Sequence, residues 1–534
     1  MVKGQELPLA LVVVIPSLLF ISFRLVFRRP LYFLPGPPGQ RSLLGLEHDF
    51  EMDPIKRLHE WHNNHGVVYK LPGCFWTDIL VLSDPRALQH ILHTSAYGYR
   101  KANDQLFFTS MILGKGLTFA EGAAHQKQRK LLNPAFSATQ LKRFLLLFQN
   151  STTELLKKVE ERMRNGENRV DILRLASKLA LDAVGESTFG HRFGAFDGES
   201  DDLFTANKIA FVALRKPSQG NLLTRALRRH IPIWLSEKLS SVFQTKDVQN
   251  ARSAGEVRRK KARDILSQAM QNGSVADEKN KDILSVLVRC NDAEELKQRM
   301  TEEEVVAQTT SIMQAGHHVS GATMAWLFYE LAKHPEDQER IVDEIKTFRT
   351  KLGSISKLTS SDYDAMPYLN AVIKESLRFH SVISLLNREA TYDDSIPLTS
   401  PIVSTTGENI TCIPVKKGQR IMLDVASYHW LKDVWGSDAH QWNPSRFLDP
   451  EMKKKQTNIG VFSNILTFSG GVQGCIGWRF ALMETQIIVA GVLERFELSL
   501  PEGVEIVGVR TAIYVPMLEG KIEEVPLLLK LRRS

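Results

Sequence analysis

Phe468-Ser-Gly-Gly-Val-Gln-Gly-Cys475-Ile-Gly477 runs directly into Trp478-Arg-Phe-Ala-Leu-Met-Glu-Thr-Gln-Ile-Ile-Val-Ala-Gly-Val-Leu-Glu494. Apolar residues recur at helical spacing in the second stretch, which therefore reads as a helix. Cys475 then sits where that helix starts, and free N–H groups and the helix dipole are expected to lower its thiol pKa. Gly470, Gly471, Gly474 and Gly477 remove side chains from around the sulfur, so a flat, bulky group could approach the backbone closely. A lone thiolate in such a cradle suits a single axial ligand to haem iron. For an isolated thiol the other reading is an inert, buried cysteine beside a flexible turn.

Around this loop, the 534-residue chain is 43% hydrophobic and 24% charged, enough to bury a large core and to exclude general disorder. No internal repeat of fixed period occurs, which excludes solenoids and propellers. Four cysteines (Cys74, Cys290, Cys412 and Cys475) are too few for a disulfide scaffold and suit a reducing compartment. The formal net charge of +8 is compatible with nucleic acid, an anionic membrane or an acidic partner. The basic residues are dispersed, and no zinc-finger or RNA-recognition signature is present, so a nucleic-acid partner is not expected.

Leu7 to Phe23 carries no charge, and Arg24, Arg28 and Arg29 follow. With Arg24 snorkelling, Leu7–Phe27 reaches the roughly 20 apolar residues that cross a bilayer. A cleaved signal peptide would instead need a basic start, a shorter apolar run and a small-residue cleavage site. Residues 1–29 therefore read as a retained single-pass anchor, with the arginines and the body on the cytosolic side. Pro35-Gly36-Pro37-Pro38-Gly39 cannot continue a helix and makes 30–45 a stiff, extended hinge. The rest, 46–534, reads as one mostly helical body. Strands are expected at Val67–Leu71 with Ile79–Leu82, and at Ile410–Pro414, Arg420–Asp424 and Ile506–Val515. The polar segments Glu199–Ser218 and Lys246–Ala276 read as surface helices and loops.

The cysteine loop resembles the haem-binding signature of the cytochrome P450 family, Phe-x-x-Gly-x-Arg-x-Cys-x-Gly. Phe468, Gly471, Cys475 and Gly477 match it, and Gln473 stands where the family has arginine. The resemblance extends over nearly the whole chain in the expected order. It implies a mainly α fold with small β-sheets, preceded by one transmembrane helix. It also implies haem b bound through Cys475, a small lipophilic substrate, and an endoplasmic reticulum membrane setting. Electrons would come from NADPH through a separate cytochrome P450 reductase, since neither a flavin domain nor a dinucleotide fingerprint is present. Glu375-Ser-Leu-Arg378 is a pair on one helix face, worth only about 0.2–0.5 kcal/mol if exposed. It resembles the family's Glu-x-x-Arg, and Asn443-Pro-Ser-Arg446-Phe447 resembles the element that completes the same network. The resemblance makes Glu375, Arg378 and Arg446 a buried structural cluster. His125 and Arg129, one turn apart on Gly122–Leu132, are similar to the family residues that reach the haem propionates, as is Arg388. Without a charge at Gln473, these three should matter more than usual.

Thr301-Glu-Glu-Glu304 is a capping box that opens a helix running to Ala332 and ended by His334-Pro335, about 45–50 Å in length. Gly316 in its middle reads as a place for a flat ligand against the backbone, and Gly321 serves either that or close helix packing. Ala315-Gly-His-His318-Val319-Ser320 aligns with the family's Ala-Gly-x-(Asp/Glu)-Thr-(Thr/Ser), which delivers protons to iron-bound oxygen. Here the acid is His318 and the threonine is Val319. His318, with an ordinary pKa near 6.5, could shuttle protons. Ser320 stands about 100° further round the helix. His318 and Ser320 are thus the catalytic candidates. Three activities remain open. The first is monooxygenation of a lipophilic substrate, fitting secondary metabolism. The second is isomerisation or dehydration without external oxygen, and the third is a sensor, disfavoured because no output domain is appended. By resemblance, Lys101–Leu117, Phe204–Leu239, Met313–Ser320 and Val382–Leu386 line the pocket.

Overall fold

The computed structural model describes residue 17 and residues 31–39, 42–199, 201–215, 217–271, 283–292, 299–353, 357–454, 457–519 and 524–532. Apart from Ser17, the expected anchor over residues 1–29 lies outside these. Among the described residues no helix is long and apolar enough to cross a membrane. The proline-rich segment is strapped to the body. Leu31 and Leu34 are fully buried, Pro35 O accepts from Lys70 N at 2.9 Å, and Phe33 O accepts from Thr405 N at 2.8 Å.

Helices dominate, as the periodicity requires. The long helix starts at Glu302 with Thr301 and Glu304 in a reciprocal capping box, and ends at Lys333 before His334-Pro335. Residues Ala315–Val319 form a wide, π-type turn within it, a local irregularity often found at functional sites. Helix Ile172–Val184 packs along this stretch. The expected helix after Cys475 spans Trp478–Arg495. It lies on Ala138–Arg164, where Phe480 meets Phe148 edge-on at 5.0 Å. Such aromatic contacts add about 0.5–1.5 kcal/mol beyond area burial.

The expected hairpin forms between Val68–Pro72 and Asp78–Leu82, with Val68 opposite Leu82. It is one side of a five-stranded sheet that continues through Arg420–Asp424, Leu385–Ala390 and Tyr99–Arg100. Asp78–Leu82 and Arg420–Asp424 pair in parallel, and the other neighbours are antiparallel. Asn409–Val415 pairs with Asp394–Val403 in a separate ladder.

Two expectations are refined. Ile506–Val515 is two antiparallel strands, Ile506–Arg510 and Tyr514–Leu518, because Thr511–Ile513 turns the chain. Lys246–Gln271 is a surface helix as expected, with Gln249, Glu256, Lys260 and Arg263 exposed, but its other face, Val248, Ala251, Ala254, Arg258 and Ala262, is buried.

Candidate haem-thiolate site

Cys475 precedes its helix by three residues, and its N–H donates to Phe468 O at 2.9 Å, which ties the loop to the signature phenylalanine. The side chain is uncovered, yet it lies deep enough that burial pushes the thiol pKa up. The Gly477 N–H and the Arg129 charge oppose that rise without overcoming it. This corrects the expected lowering: desolvation outweighs the helix start. The loop glycines also have another cause. A Cβ at Gly470 or Gly471 would strike the carbonyls of Ile459 and Leu92, and one at Gly474 would strike Val461. They let the loop press against the backbone behind it. At Gly477 the nearest atom is Phe136 Cε1 at 3.6 Å, so ordinary space remains there.

Arg129 donates to Gly474 O at 2.6 Å, and His125 Nδ1 shares a hydrogen bond with Tyr97 Oη at 3.0 Å. Arg388 is buried and, among the described residues, donates only to the neighbouring Asn387 O at 2.9 Å. Burial holds the Arg388 pKa below its usual value, and Glu121 compensates only in part. Lys101 bonds Glu121 at 2.8 Å, and Gln473 Nε2 donates to the other Glu121 oxygen at 3.1 Å. Gln473 Oε1 is buried without a partner. His125 is kept neutral, its pKa lowered to about 4 by burial and by the charges of Lys101 and Arg129. Lys101, Arg129 and Arg388 therefore face a single carboxylate in this group, an excess of two positive charges. The two haem propionates are of the right sign and number to neutralise it. Glu121 and Lys101 went unrecognised as members of this group, because nothing local in the sequence marks them.

The candidates on the long helix separate. His317 is buried, and its Nδ1 donates to Met313 O at 2.6 Å. Its Nε2 must then accept from Asn207 Nδ2 at 2.8 Å, and burial lowers its pKa to about 3. This neutral histidine pins the wide turn. His318 has no hydrogen-bond partner among the described residues, and burial followed by the charge of Arg258 lowers its pKa to about 4. Ser320 is buried beside Glu484 of the cysteine helix, where its hydroxyl offsets part of the burial that raises the Glu484 pKa to about 8. The Cβ direction of Gly316 is filled by Val184 and that of Gly321 by Ser177. Helix packing thus gives both Gly316 and Gly321 a reason to lack a side chain.

The structural cluster assembles in the interior, with Glu375, Arg378 and Arg446 all buried. Arg378 holds Glu375 through two bonds of 2.7 and 2.8 Å, both side chains fully buried, and Arg446 Nε lies 3.1 Å from the same carboxylate. Arg378 also donates to His429 O and Ala439 O, each at 2.6 Å. Asp438, unforeseen from sequence, takes Arg446 at 3.0 Å and balances the charges.

Residues 35–515 match the Cytochrome P450 family. Ganoderic acid synthetase of Ganoderma lucidum is 30% identical over 499 residues, 90% of either chain. Cytochrome P450 monooxygenase 81 of Postia placenta is 30% identical over 91% of this chain and 90% of its own. The monooxygenase claQ of Ampulloclitocybe clavipes is 27% identical, over 88% and 86% respectively. With an uncovered cysteine in its signature loop and this match over most of its length, the chain belongs to the cytochrome P450 family, and is an oxidoreductase that uses haem b.

Proposed function

We propose that the protein is a monooxygenase that oxidises, by hydroxylation in the simplest case, a small lipophilic substrate in secondary metabolism. Bound haem supplies the activation of dioxygen and the transfer of one oxygen atom to carbon, with two electrons and two protons completing water. The carrying observation is the uncovered Cys475 sulfur beside the Arg129-to-Gly474 bond. Cys475 would ligate the iron, while Lys101, Arg129 and Arg388 would hold the propionates. His318, neutral above about pH 4, can pass a proton through its ring but cannot act as a carboxylate. Relatives named as cytochrome P450 monooxygenases support the reaction class, and one named ganoderic acid synthetase supports the metabolic setting. The uncharged run Leu7–Phe23, with Arg24, Arg28 and Arg29 after it, supports a single-pass anchor in the endoplasmic reticulum with the body in the cytosol. There the NADPH-dependent P450 reductase would deliver electrons.

Val319 in place of the family threonine favours a second reading, isomerisation or dehydration without external oxygen. The deciding assay offers labelled dioxygen to the protein with a turned-over substrate, with and without NADPH and reductase. Label in the product that depends on reductant is the expected result. Turnover without reductant and without label would establish the second reading. Cys475→Ser should abolish the thiolate-type absorption of the reduced, carbon-monoxide-bound protein.

A further inference from the structure

A cavity of about 340 Å³ lies against the long helix and is bordered by His318 and Arg388. It therefore adjoins both the proton-relay position and the propionate group, and its size falls in the range of small-molecule sites. Part of its wall is apolar: Phe50, Phe108, Ile112 and Met422. The remainder is unusually basic for a site expected to take a neutral lipid. Six arginines line it, against three acids.

The acids are already engaged. Glu47 is held by Arg229 and Arg420, each at 2.8 Å, and Asp104 by Arg229 at 2.8 Å. Glu51 lies 3.6 Å from Arg510. Arg388 belongs to the propionate group. That leaves Arg258 and Arg225 without a carboxylate in ion-pair contact among the described residues. Arg258 is 1% exposed, on the inward face of helix Lys246–Gln271. It donates to Gln314 Oε1 at 2.8 Å and Asn207 Oδ1 at 2.6 Å, both neutral, and its Nη1 has no partner. Arg225, half-buried, rests its guanidinium 5.6 Å from the Phe108 ring, and its Nε has no partner. A buried guanidinium without an anion is costly, and an anionic ligand group beside it would offset that cost.

We infer that this cavity binds a substrate combining an apolar skeleton with a carboxylate, the carboxylate paired with Arg258, whose Nη1 is free among the described residues, and the skeleton against Phe108 and Met422, with Arg225 adding positive charge to the wall. The inference rests on the monooxygenase reading and narrows its substrate class from lipophilic molecules in general to lipophilic acids. Arg suits the task because its planar fork matches a carboxylate with two parallel hydrogen bonds. A neutral alcohol of the same skeleton would leave Arg258 unpaired.

The test is equilibrium dialysis of the full-length haem protein with labelled dehydroabietic acid and, separately, dehydroabietinol. Wild type should bind the acid about tenfold or more tightly than the alcohol, the scale of one hydrogen bond to a charged group. Arg258→Lys and Arg225→Gln are the variants. The lysine keeps the charge but not the fork, and the glutamine changes a half-buried residue that holds no ion pair, so at least one should fold. Loss of the acid preference in either variant, with alcohol binding unchanged, supports the assignment. Equal binding of acid and alcohol by wild type, or a preference retained in both variants, overturns it. Dialysis does not depend on turnover. A protein that prefers the acid yet incorporates no labelled oxygen would sink the monooxygenase reading alone.

Discussion

The guanidinium of Arg129 donates to the carbonyl of Gly474 at 2.6 Å, joining helix Gly122–Leu132 to the loop one residue before the cysteine. One side chain thus fixes the loop's position and places a positive charge near the sulfur. That charge acts to lower the Cys475 pKa, against the larger effect of burial. The same charge helps to keep the neighbouring His125 neutral.

Removing this contact should weaken cofactor retention. Hydrogen bonds from charged groups contribute about 1.5–3 kcal/mol. Arg129→Ala is expected to lose haem roughly 10–100-fold more readily, and Arg388→Ala to act in the same direction. The ratio of haem to protein absorbance after gel filtration measures it. Unchanged ratios in both variants would refute the propionate assignment.

Glu375→Ala should compromise folding rather than chemistry. It would strand Arg378 and Arg446, both buried, with only Asp438 and carbonyls to oppose them. Breaking one member of a buried ion cluster costs about 3–5 kcal/mol. A large fall in melting temperature, or loss of soluble protein, is expected. A variant that melts like wild type and differs only in turnover would assign Glu375 a different role.

Acid should destabilise the protein before its carboxylates titrate. His317 and His318 have pKa values of about 3 and about 4, lowered from 6.5 chiefly by burial. Unfolded histidine takes up a proton below about 6.5, while the folded form does not. Their contribution is therefore present above 6.5 and is lost as the pH falls toward 4, at about 1.4 kcal/mol per unit of pKa difference. Melting temperature should decline from pH 7 to pH 4.5. His317→Gln, which retains a donor and an acceptor, should flatten the slope.

Glu484 gives the opposite sign. It is fully buried, and burial, offset only in part by the Ser320 hydroxyl, raises its pKa from 4.5 to about 8. Between those values the folded state keeps a proton that the unfolded state releases, so stability falls as the pH rises. Glu484→Gln should melt higher than wild type at pH 8, and the gap should close toward pH 5. A constant gap would place the ionisation elsewhere.

How far the sequence could be read depended on whether a residue's partners lie near it in the chain. Cys475, the helix behind it, and Glu375 with Arg378 are written in local spacing, and the structure brings them where that spacing implies. Glu121, Lys101 and Asp438 were missed because each earns its place only through residues distant in sequence or loop conformation. Arg258 was hidden for a different reason. Polar and charged residues crowd Lys246–Gln271, and such composition reads as a solvated face, although side-chain amides from two other helices cover Arg258. Gly316 has a reason that only the fold reveals: Val184 of the neighbouring helix fills the space its side chain would take.

The parallel pairing of Asp78–Leu82 with Arg420–Asp424 joins strands 341 residues apart, since Ile79 is opposite Arg420. On a ribosome adding about 5–20 residues per second, the early hairpin waits roughly 20–70 s with one edge unsatisfied. Cys475 emerges later still, so pigment loading cannot guide the first half of the chain. Slower translation, cooler growth or extra holdase capacity during heterologous production should therefore raise the yield of coloured protein, by shielding that bare edge from aggregation.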